Sequence, residues 1–343
     1  MALGISVLIC CYNSAERLPE TLKHLAAQTT EPDIRWEIIV ADNASQDATA
    51  KIAAEIWRSL GVSHAGFRVI SETAPGKSHA LKKGIEVALY DYILVCDDDN
   101  WLGPDYILTA FHIMNNDPSI GVLGGCGQFW PEQPVREEIL PHKIAYVNGP
   151  QPWAGTEHWV YGAGSVFRKA ILTDLFEKGW EQIGSGKNAS KMVEDIELCF
   201  ICYLNGYRIV SEDRLLFKHF VPIAKQTLDY ILSLIYRQSY SYQLLSGYRQ
   251  LIHHGQLPLR QNLNNIFINN LKAIIVVACR NCHQQLVKKI PLTFSQQAAM
   301  KSYWGIFFAY LGNRNMIIRH YNMLLKKQLV KTSFLPYGTP SDQ

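Results

Sequence analysis

The sequence has no apolar run approaching the roughly 18 residues that cross a bilayer, no internal repeat and no low-complexity tract. A membrane-spanning helix, a repeat array and a disordered linker are therefore not expected. Its eight cysteines follow no regular spacing, and Cys10, Cys11 and Cys96 lie in apolar runs, as buried free thiols do. The opening segment Met1-Ala-Leu-Gly-Ile-Ser6 lacks a basic n-region and enters a strand pattern at once, so a reducing cytoplasm is expected rather than export. The most informative shortage is of carboxylates. Residues 225–343 contain only Asp229 and Asp342 against 14 Lys/Arg, a net of +12, whereas residues 1–224 hold 28 Asp/Glu and 19 Lys/Arg, a net of −9. A segment so poor in acid is expected to face lipid head groups or an acidic polymer, or to pack on the acidic part of the chain. The overall charge is only +3, and no nucleic-acid partner is expected.

What is present suits a globular protein. Of 343 residues, 48% are hydrophobic and 18% charged, enough for one large domain with an appendage or for two domains. Ile5–Cys11, Trp36–Val40, Phe67–Ile70 and Tyr92–Cys96 have the β-branched, aromatic composition of buried strands. The segments Ala15–Gln28, Asp47–Leu60 and Ser78–Leu89 between them are amphipathic. This alternation predicts an α/β fold with a mainly parallel sheet and helices on both faces. Residues 117–160 suggest irregular loops and edge strands, Val160–Phe167 a further strand, Met192–Leu204 a helix and Arg208–Ser211 a strand. Beyond residue 225 the pattern turns helical over Thr227–Leu245, Asn262–Lys289 and Gln296–Lys327. The expected domains are thus 1–224, a basic helical region 225–331 and a frayed tail 332–343.

In parallel sheets, ligands bind beyond the carboxyl ends of the strands. Three of the four strands end in polar residues, Cys11-Tyr12-Asn13, Asp42-Asn43 and Asp97-Asp98-Asp99, which predicts one shared rim. Three successive aspartates repel one another unless a cation neutralises them. Mg²⁺ or Mn²⁺ with diphosphate oxygens would do so; a solvated acidic turn before the next helix is the alternative. Glu194-Asp195 stands at a predicted helix start, where carboxylates also suit the macrodipole without any chemistry. The preceding Gly179–Lys191 segment is rich in glycine and polar residues and suggests a lid.

Taken in order, Ser6-Val-Leu-Ile-Cys-Cys-Tyr-Asn13, Ile39-Val-Ala-Asp42-Asn-Ala-Ser-Gln-Asp47, Asp97–Asp99 with Pro104, and Glu194-Asp195 resemble the GT-A fold of family 2 glycosyltransferases over about residues 1–220. The resemblance implies an inverting transferase that takes a sugar from a nucleotide-sugar, a UDP-sugar first, to a hydroxyl of a saccharide, glycolipid or polysaccharide acceptor. It implies that Asp42 accepts the uracil imide N–H and that Cys11, Tyr12 and Asn13 cradle base and ribose. Asp97 and Asp98 would lie with the donor, while Asp97, Asp99 and His219 would ligate Mn²⁺ or Mg²⁺. Asp195 would be the catalytic base, with Glu194 binding the acceptor or orienting that base. Trp153, His158, Trp159, Gly162 and Gly164 fall where the family builds its acceptor pocket, although Trp is also ordinary core material and a lone histidine such as His219 is often structural.

The chain departs from the family pattern at Lys82, where an asparagine is common, and at Asn100, where a fourth acid often stands. Lys77 could reach the donor phosphates instead, with a solvated lysine as the alternative. No Gln-x-x-Arg-Trp motif follows Asp195, which implies a non-processive enzyme. Other motifs fail. Gly76-Lys77-Ser78 lacks the first P-loop glycine, having Ser71 there. Cys279-Arg-Asn-Cys282-His283 matches a haem-attachment pattern without an export signal, and lacks a second ligand pair for zinc. A nucleotidyltransferase needs a Gly-rich basic loop where Cys11–Glu16 stands, while a silent nucleotide-sugar or carbohydrate binder needs no intact acidic sites. Met300–Leu325 carries aromatic, apolar and basic residues, and is expected to lie on an anionic membrane surface, pack on the catalytic domain or form a homodimer seam.

Overall fold

The computed structural model describes residues 2–183, 194–253, 258–331 and 333. The expected tail, apart from residue 333, and most of the expected lid, Gly184–Lys191, lie outside them. The described residues form two compact units, one from residues 2–135, 143–183 and 194–223, the other from 136–142, 224–253, 258–331 and 333.

The first unit is built on eight strands: β1 (Ala2–Cys11), β2 (Trp36–Asn43), β3 (Gly66–Glu72), β4 (Tyr90–Val95), β5 (Asn100–Leu102), β6 (Ile120–Pro131), β7 (Val166–Arg168) and β8 (Arg208–Val221). They form one sheet in the order β3-β2-β1-β4-β7-β6-β8-β5. The β3-β2-β1-β4 half is parallel, with Cys11 opposite Asp42 and Leu8 opposite Val95. Antiparallel pairing enters at β7, which joins β4 to β6, and β5 pairs antiparallel with β8. The helices of this unit are α1 (Leu18–Ala26), α2 (Thr49–Leu60), α3 (Lys77–Val87), α4 (Tyr106–Asn116), α5 (Ala154–Glu157), α6 (Lys169–Glu177) and α7 (Glu194–Leu204).

Parallel strands covered on both faces must be apolar throughout, and β1 is buried from Gly4 to Ile9. Ile5, Val7 and Ile9 pack with Leu18, Leu22 and Leu25 of α1, Ala53 and Trp57 of α2, and Ile107 and Ala110 of α4. Leu8 points the other way, into α3, where a Cβ on Gly84 would fall 2.3 Å from its Cδ1. The expected α/β sheet with helices on both faces is therefore present.

Two expectations need correcting. The stretch read as irregular loops and edge strands, residues 117–160, contains the 12-residue strand β6, which lies inside the sheet between β7 and β8 with its first eight residues buried. Its run of glycines disguised it, because those positions are small for packing: a Cβ on Gly125 would fall 2.1 Å from the Tyr106 hydroxyl. Conversely, Val160–Phe167 contributes only its end to a strand, β7. Gly164, at φ +72°, turns the chain there in a conformation that favours glycine.

The second unit is helical: α8 (Leu228–Leu244), α9 (Ser246–Ile252), α10 (Leu259–Cys282) and α11 (Phe294–Lys326). Thr227 caps α8 by accepting from Tyr230 N–H at 3.1 Å, and Thr293 with Gln296 forms a capping box on α11. Gly305 lets α11 approach α8 closely, since a Cβ there would lie 2.5 Å from Tyr236 O. Among the described residues no helix is long and apolar enough to cross a membrane.

Candidate active site

The carboxyl ends of β1, β2 and β4 meet as the parallel register requires. Asn13 adopts φ 49°, donates its N–H to Ser45 Oγ at 3.0 Å and accepts Gln46 N–H at Oδ1, 2.8 Å. Ala15 N–H reaches Asp47 Oδ2 at 3.1 Å. The two loops after β1 and β2 are thus stitched into one floor. Cys11 is buried beneath it and Tyr12 is 55% exposed above it. Asp42 Oδ1 is buried there with no hydrogen-bond partner, a state that costs about 1–3 kcal/mol and is relieved by any N–H delivered to it.

The neighbouring Asn43 aims a lysine. Its amide donates to Glu72 O at 3.2 Å and Ala74 O at 2.7 Å, and its Oδ1 accepts Gly76 N–H at 2.8 Å. Gly76, at φ 129°, then starts α3 so that Lys77 points across the rim. Its Nζ lies 2.8 Å from Asp97 Oδ1 and 3.8 Å from Asp195 Oδ1. One ammonium therefore holds together two carboxylates nearly a hundred residues apart. Burial works to lower the Lys77 pKa, but Asp195 and Asp97 outweigh it and raise it well above the usual lysine range.

The aspartate triplet divides its tasks. Asp98 turns toward α1, where Arg17 Nε and Nη2 reach its Oδ2 at 3.1 and 2.6 Å, and its carbonyl accepts the Thr21 hydroxyl at 2.8 Å. Asp97 faces Lys77. Asp99 is buried, 3.7 Å from His219 Nε2, with Asn100 opposite His219 in the β5–β8 register. His219 Nδ1 lies 2.5 Å from Tyr146 O. A carbonyl only accepts, so Nδ1 carries a proton toward it, and Nε2 is the ring nitrogen that faces Asp99.

Asp195 opens α7 and is enclosed by the Gly162–Gly164 loop. A Cβ on Gly162 would fall 1.9 Å from Asp195 Cγ, and the Gly162 backbone hydrogen-bonds to that carboxylate. Burial raises the Asp195 pKa, against the pull of Lys77. Burial, then repulsion from Asp195, pushes Glu194 up to about 7. Glu197, fully buried one turn on, accepts Ile183 N–H at both oxygens, 2.9 and 3.0 Å. Beside them burial pushes the Cys10 thiol up to about 12.

An aromatic cluster adjoins this loop. Trp153 lies 5.3 Å from Trp159 and edge-on to Tyr161 at 5.5 Å, with Trp153 Nε1 and the Tyr161 hydroxyl buried and unpartnered. Gln151 anchors it, accepting Tyr161 N–H at 2.6 Å and donating to Gly125 O at 2.7 Å. His158 turns elsewhere, stacking on Tyr203 at 3.6 Å.

The model of the glycosyl transferase family 2 matches residues 6–176. The chain belongs to glycosyl transferase family 2. This family 2 chain is similar to the poly-beta-1,6-N-acetyl-D-glucosamine synthase of Staphylococcus aureus (strain COL), 27% identical over 213 residues, 61% of this chain and 48% of that protein. The Staphylococcus epidermidis synthase is 28% identical over 224 residues, 64% of this chain and 50% of that protein. The chain spans about half the length of these curated relatives. Among solved structures it is similar in fold to a mannosyltransferase from Pyrobaculum calidifontis in complex with GDP-Man and Mn2+, with a TM-score of 0.53, 16% identity, and coverage of 96% of this chain and 76% of that one. That likeness supports the GT-A fold.

In this family 2 chain the expected metal set is brought together in part. Asp99 and His219 stand 3.7 Å apart, with the imidazole oriented by the Tyr146 carbonyl. Asp97 is engaged by Lys77, and among the described residues no three His, Cys, Asp or Glu side chains group as a metal site. Sequence reasoning missed Arg17, Gln151, Tyr161 and Tyr146. No spacing marks Arg17, Gln151 and Tyr146, which act through contacts to Asp98, Gly125 and His219, 81, 26 and 73 positions away.

Proposed function

We propose that this chain is an inverting, non-processive glycosyltransferase that moves a sugar from a nucleotide-sugar to a hydroxyl of a glycan, glycolipid or other saccharide acceptor. One observation carries the reading: the Lys77 ammonium lies 2.8 Å from Asp97 and 3.8 Å from Asp195, which gathers a phosphate-binding cation and a candidate base in one opening. On this reading Asp42 Oδ1 accepts the imide N–H of a uracil, Cys11 to Asn13 line base and ribose, and Lys77 offsets the diphosphate charge. Asp99 and His219, with Asp97 beside them, would hold Mn²⁺ or Mg²⁺, whose chemistry there is to neutralise the departing diphosphate.

The acceptor oxygen attacks the anomeric carbon on the face opposite the diphosphate. As that bond forms, the bond to the diphosphate oxygen breaks and takes its electron pair with it. Asp195 takes the acceptor proton. A carboxyl whose pKa is raised serves as a base nearer neutrality than a free aspartate does, and Gly162, which leaves room for it, fixes its direction. Glu194, with a pKa of about 7, is partly protonated near neutral pH and so can donate a hydrogen bond to the acceptor. Trp153, Trp159 and Tyr161 offer ring faces and two unsatisfied polar atoms for a sugar. Asp98, tied to Arg17, holds the triplet's backbone in place for the donor.

The synthases named above and the GDP-Man complex set the first donors to try, UDP-N-acetylglucosamine and GDP-mannose. Nucleoside diphosphate release from a nucleotide-sugar panel with Mn²⁺ should be slow without acceptor, stop with EDTA and, with acceptor, fall by about 10²–10⁴ in Asp195→Asn, which should keep donor binding. Unchanged turnover in that variant would overturn the base assignment. Release of pyrophosphate from UTP and a sugar phosphate would replace the whole reading with nucleotidyl transfer. A cytoplasmic site of action at an anionic membrane surface belongs to the same proposal, with a homodimer as the competing use of the basic helices.

A further inference from the structure

We propose that one face of the α10–α11 pair is a docking surface for an anionic lipid bilayer. This deepens the membrane reading just given and stands apart from the transfer chemistry. The two helices run antiparallel: Phe267 meets Phe307 at 5.5 Å and Tyr310 at 4.4 Å, the Asn270 amide donates to Tyr303 O at 2.9 Å, and Gln284 pairs with Gln296 near the turn.

Beside this seam each helix carries an apolar row that the pairing leaves uncovered. On α10 it is Ile268, Leu271 and Ile275, and on α11 it is Trp304, Phe308 and Leu311, all exposed, Ile275 and Leu311 to 55% and 56%. Spacings of three, four and seven residues put each row on one side of its helix. In an antiparallel pair, rows displaced in the same rotational sense from the seam fall on the same face of the pair. Six large apolar side chains in one patch differ from the scattered exposed residues of an ordinary surface.

The charge around this patch names the occupant. Lys272 borders the α10 row, and Lys301 and Arg319 border the α11 row, all three exposed. From Tyr230 to Ser341 the chain has no Asp or Glu, so the pair supplies no carboxylate to neutralise them. A second copy on the same face would oppose these cations to their own equivalents. A soluble acidic polymer would satisfy the cations but leave Trp304 and Phe308 in water. A bilayer of anionic lipid answers both demands, with head groups against the basic margin and an indole at the interface.

The test is sedimentation of the full chain with phosphatidylcholine vesicles and with phosphatidylcholine–phosphatidylglycerol vesicles, at low and high salt. Binding is expected only to the anionic vesicles, and is expected to fall with salt. The triple variant Lys272→Gln, Lys301→Gln, Arg319→Gln should lose on the order of a hundredfold in partitioning, about fivefold per charge. The variant Phe308→Ser, Leu311→Ser should lose about tenfold. Both variants should keep the wild-type circular dichroism and nucleotide-sugar turnover, since every changed side chain is exposed on this face.

If wild type binds and both variants bind equally, the face is wrong although the membrane reading survives. If wild type binds no vesicle, both fail while turnover still judges the transferase. Equal capture by heparin, insensitive to the apolar variant, would point to a polymer instead. A concentration-dependent dimer dissolved by that variant would point to a second copy.

Discussion

The two units handle charge in opposite ways. In the first, carboxylates are dense and engaged: Asp97 and Asp195 share Lys77, Asp98 holds Arg17, and Glu37 takes Arg68. In the second, the α10–α11 pair has cations and no acid at all. Charges that are buried and paired tune proton affinity and geometry, whereas charges left at a surface without partners act only on what comes from outside. Chemistry is therefore expected to reside in the first unit and attachment in the second, and the strength of each charge's effect should follow its pairing.

The largest effect should come from Asp195→Asn. Removing a general base costs about 10²–10⁴ in rate, measured as nucleoside diphosphate release with acceptor at saturating donor. Gly162→Ala should come next, because its methyl would fall 1.9 Å from Asp195 Cγ. The carboxylate must move, and a displacement near 1 Å costs about a hundredfold in kcat. Donor affinity, read by titration, should change little. A Gly162→Ala enzyme with normal kcat would mean that the carboxylate does not act from this position.

These two variants also mark what was legible in the sequence. Asp195 announced itself by residue type and position, and Gly162 was named with the acceptor pocket. That the glycine is small because a carboxylate occupies its Cβ space depends on a contact across 33 positions, and no periodicity encodes it. The parallel half of the sheet was legible because β1, β2 and the end of β4 are buried on both faces and read as plain apolar runs, while the edge strand β3, only partly covered, still shows Phe67, Val69 and Ile70. Strand β6 was not, since close packing replaced its side chains with glycines and removed the pattern that identifies a strand. The same holds for the triplet: three aspartates look alike in sequence, and only Arg17, 81 residues away, separates Asp98 from the other two. Lys77 was visible as a cation near the rim, but its bridging of Asp97 and Asp195 required Asn43 to hold the turn before it.

Glu194→Gln sharpens the comparison through pH. Burial and Asp195 raise the Glu194 pKa from 4.5 to about 7, so between those values the folded protein keeps a proton that the unfolded chain has released. Wild-type stability from this group is thus full below pH 4.5 and is lost as pH rises through about 7, by about 3 kcal/mol in all. Glutamine has no proton to lose. Relative to wild type, the variant should gain stability by that amount on passing from below the window to above it, in denaturant melts at both ends. A difference that stays constant with pH would show that Glu194 is solvated and ionised like any surface glutamate.

The smallest effect should belong to the second unit. Lys272 is exposed on α10, where the acid-free pair offers it no partner. Lys272→Gln removes a full charge yet should alter the midpoint of thermal unfolding by no more than about 0.5 kcal/mol equivalent, at low and high salt alike. Its sign is informative. Relief of repulsion among Lys272, Arg280 and the lysines beyond them would make the variant slightly more stable at low salt, with the gain fading as salt screens the cations. A loss of stability that salt abolishes would instead mean that Lys272 has an acidic partner within the folded chain, and the contrast between engaged and unengaged charge would fail at the residue where it is drawn most sharply.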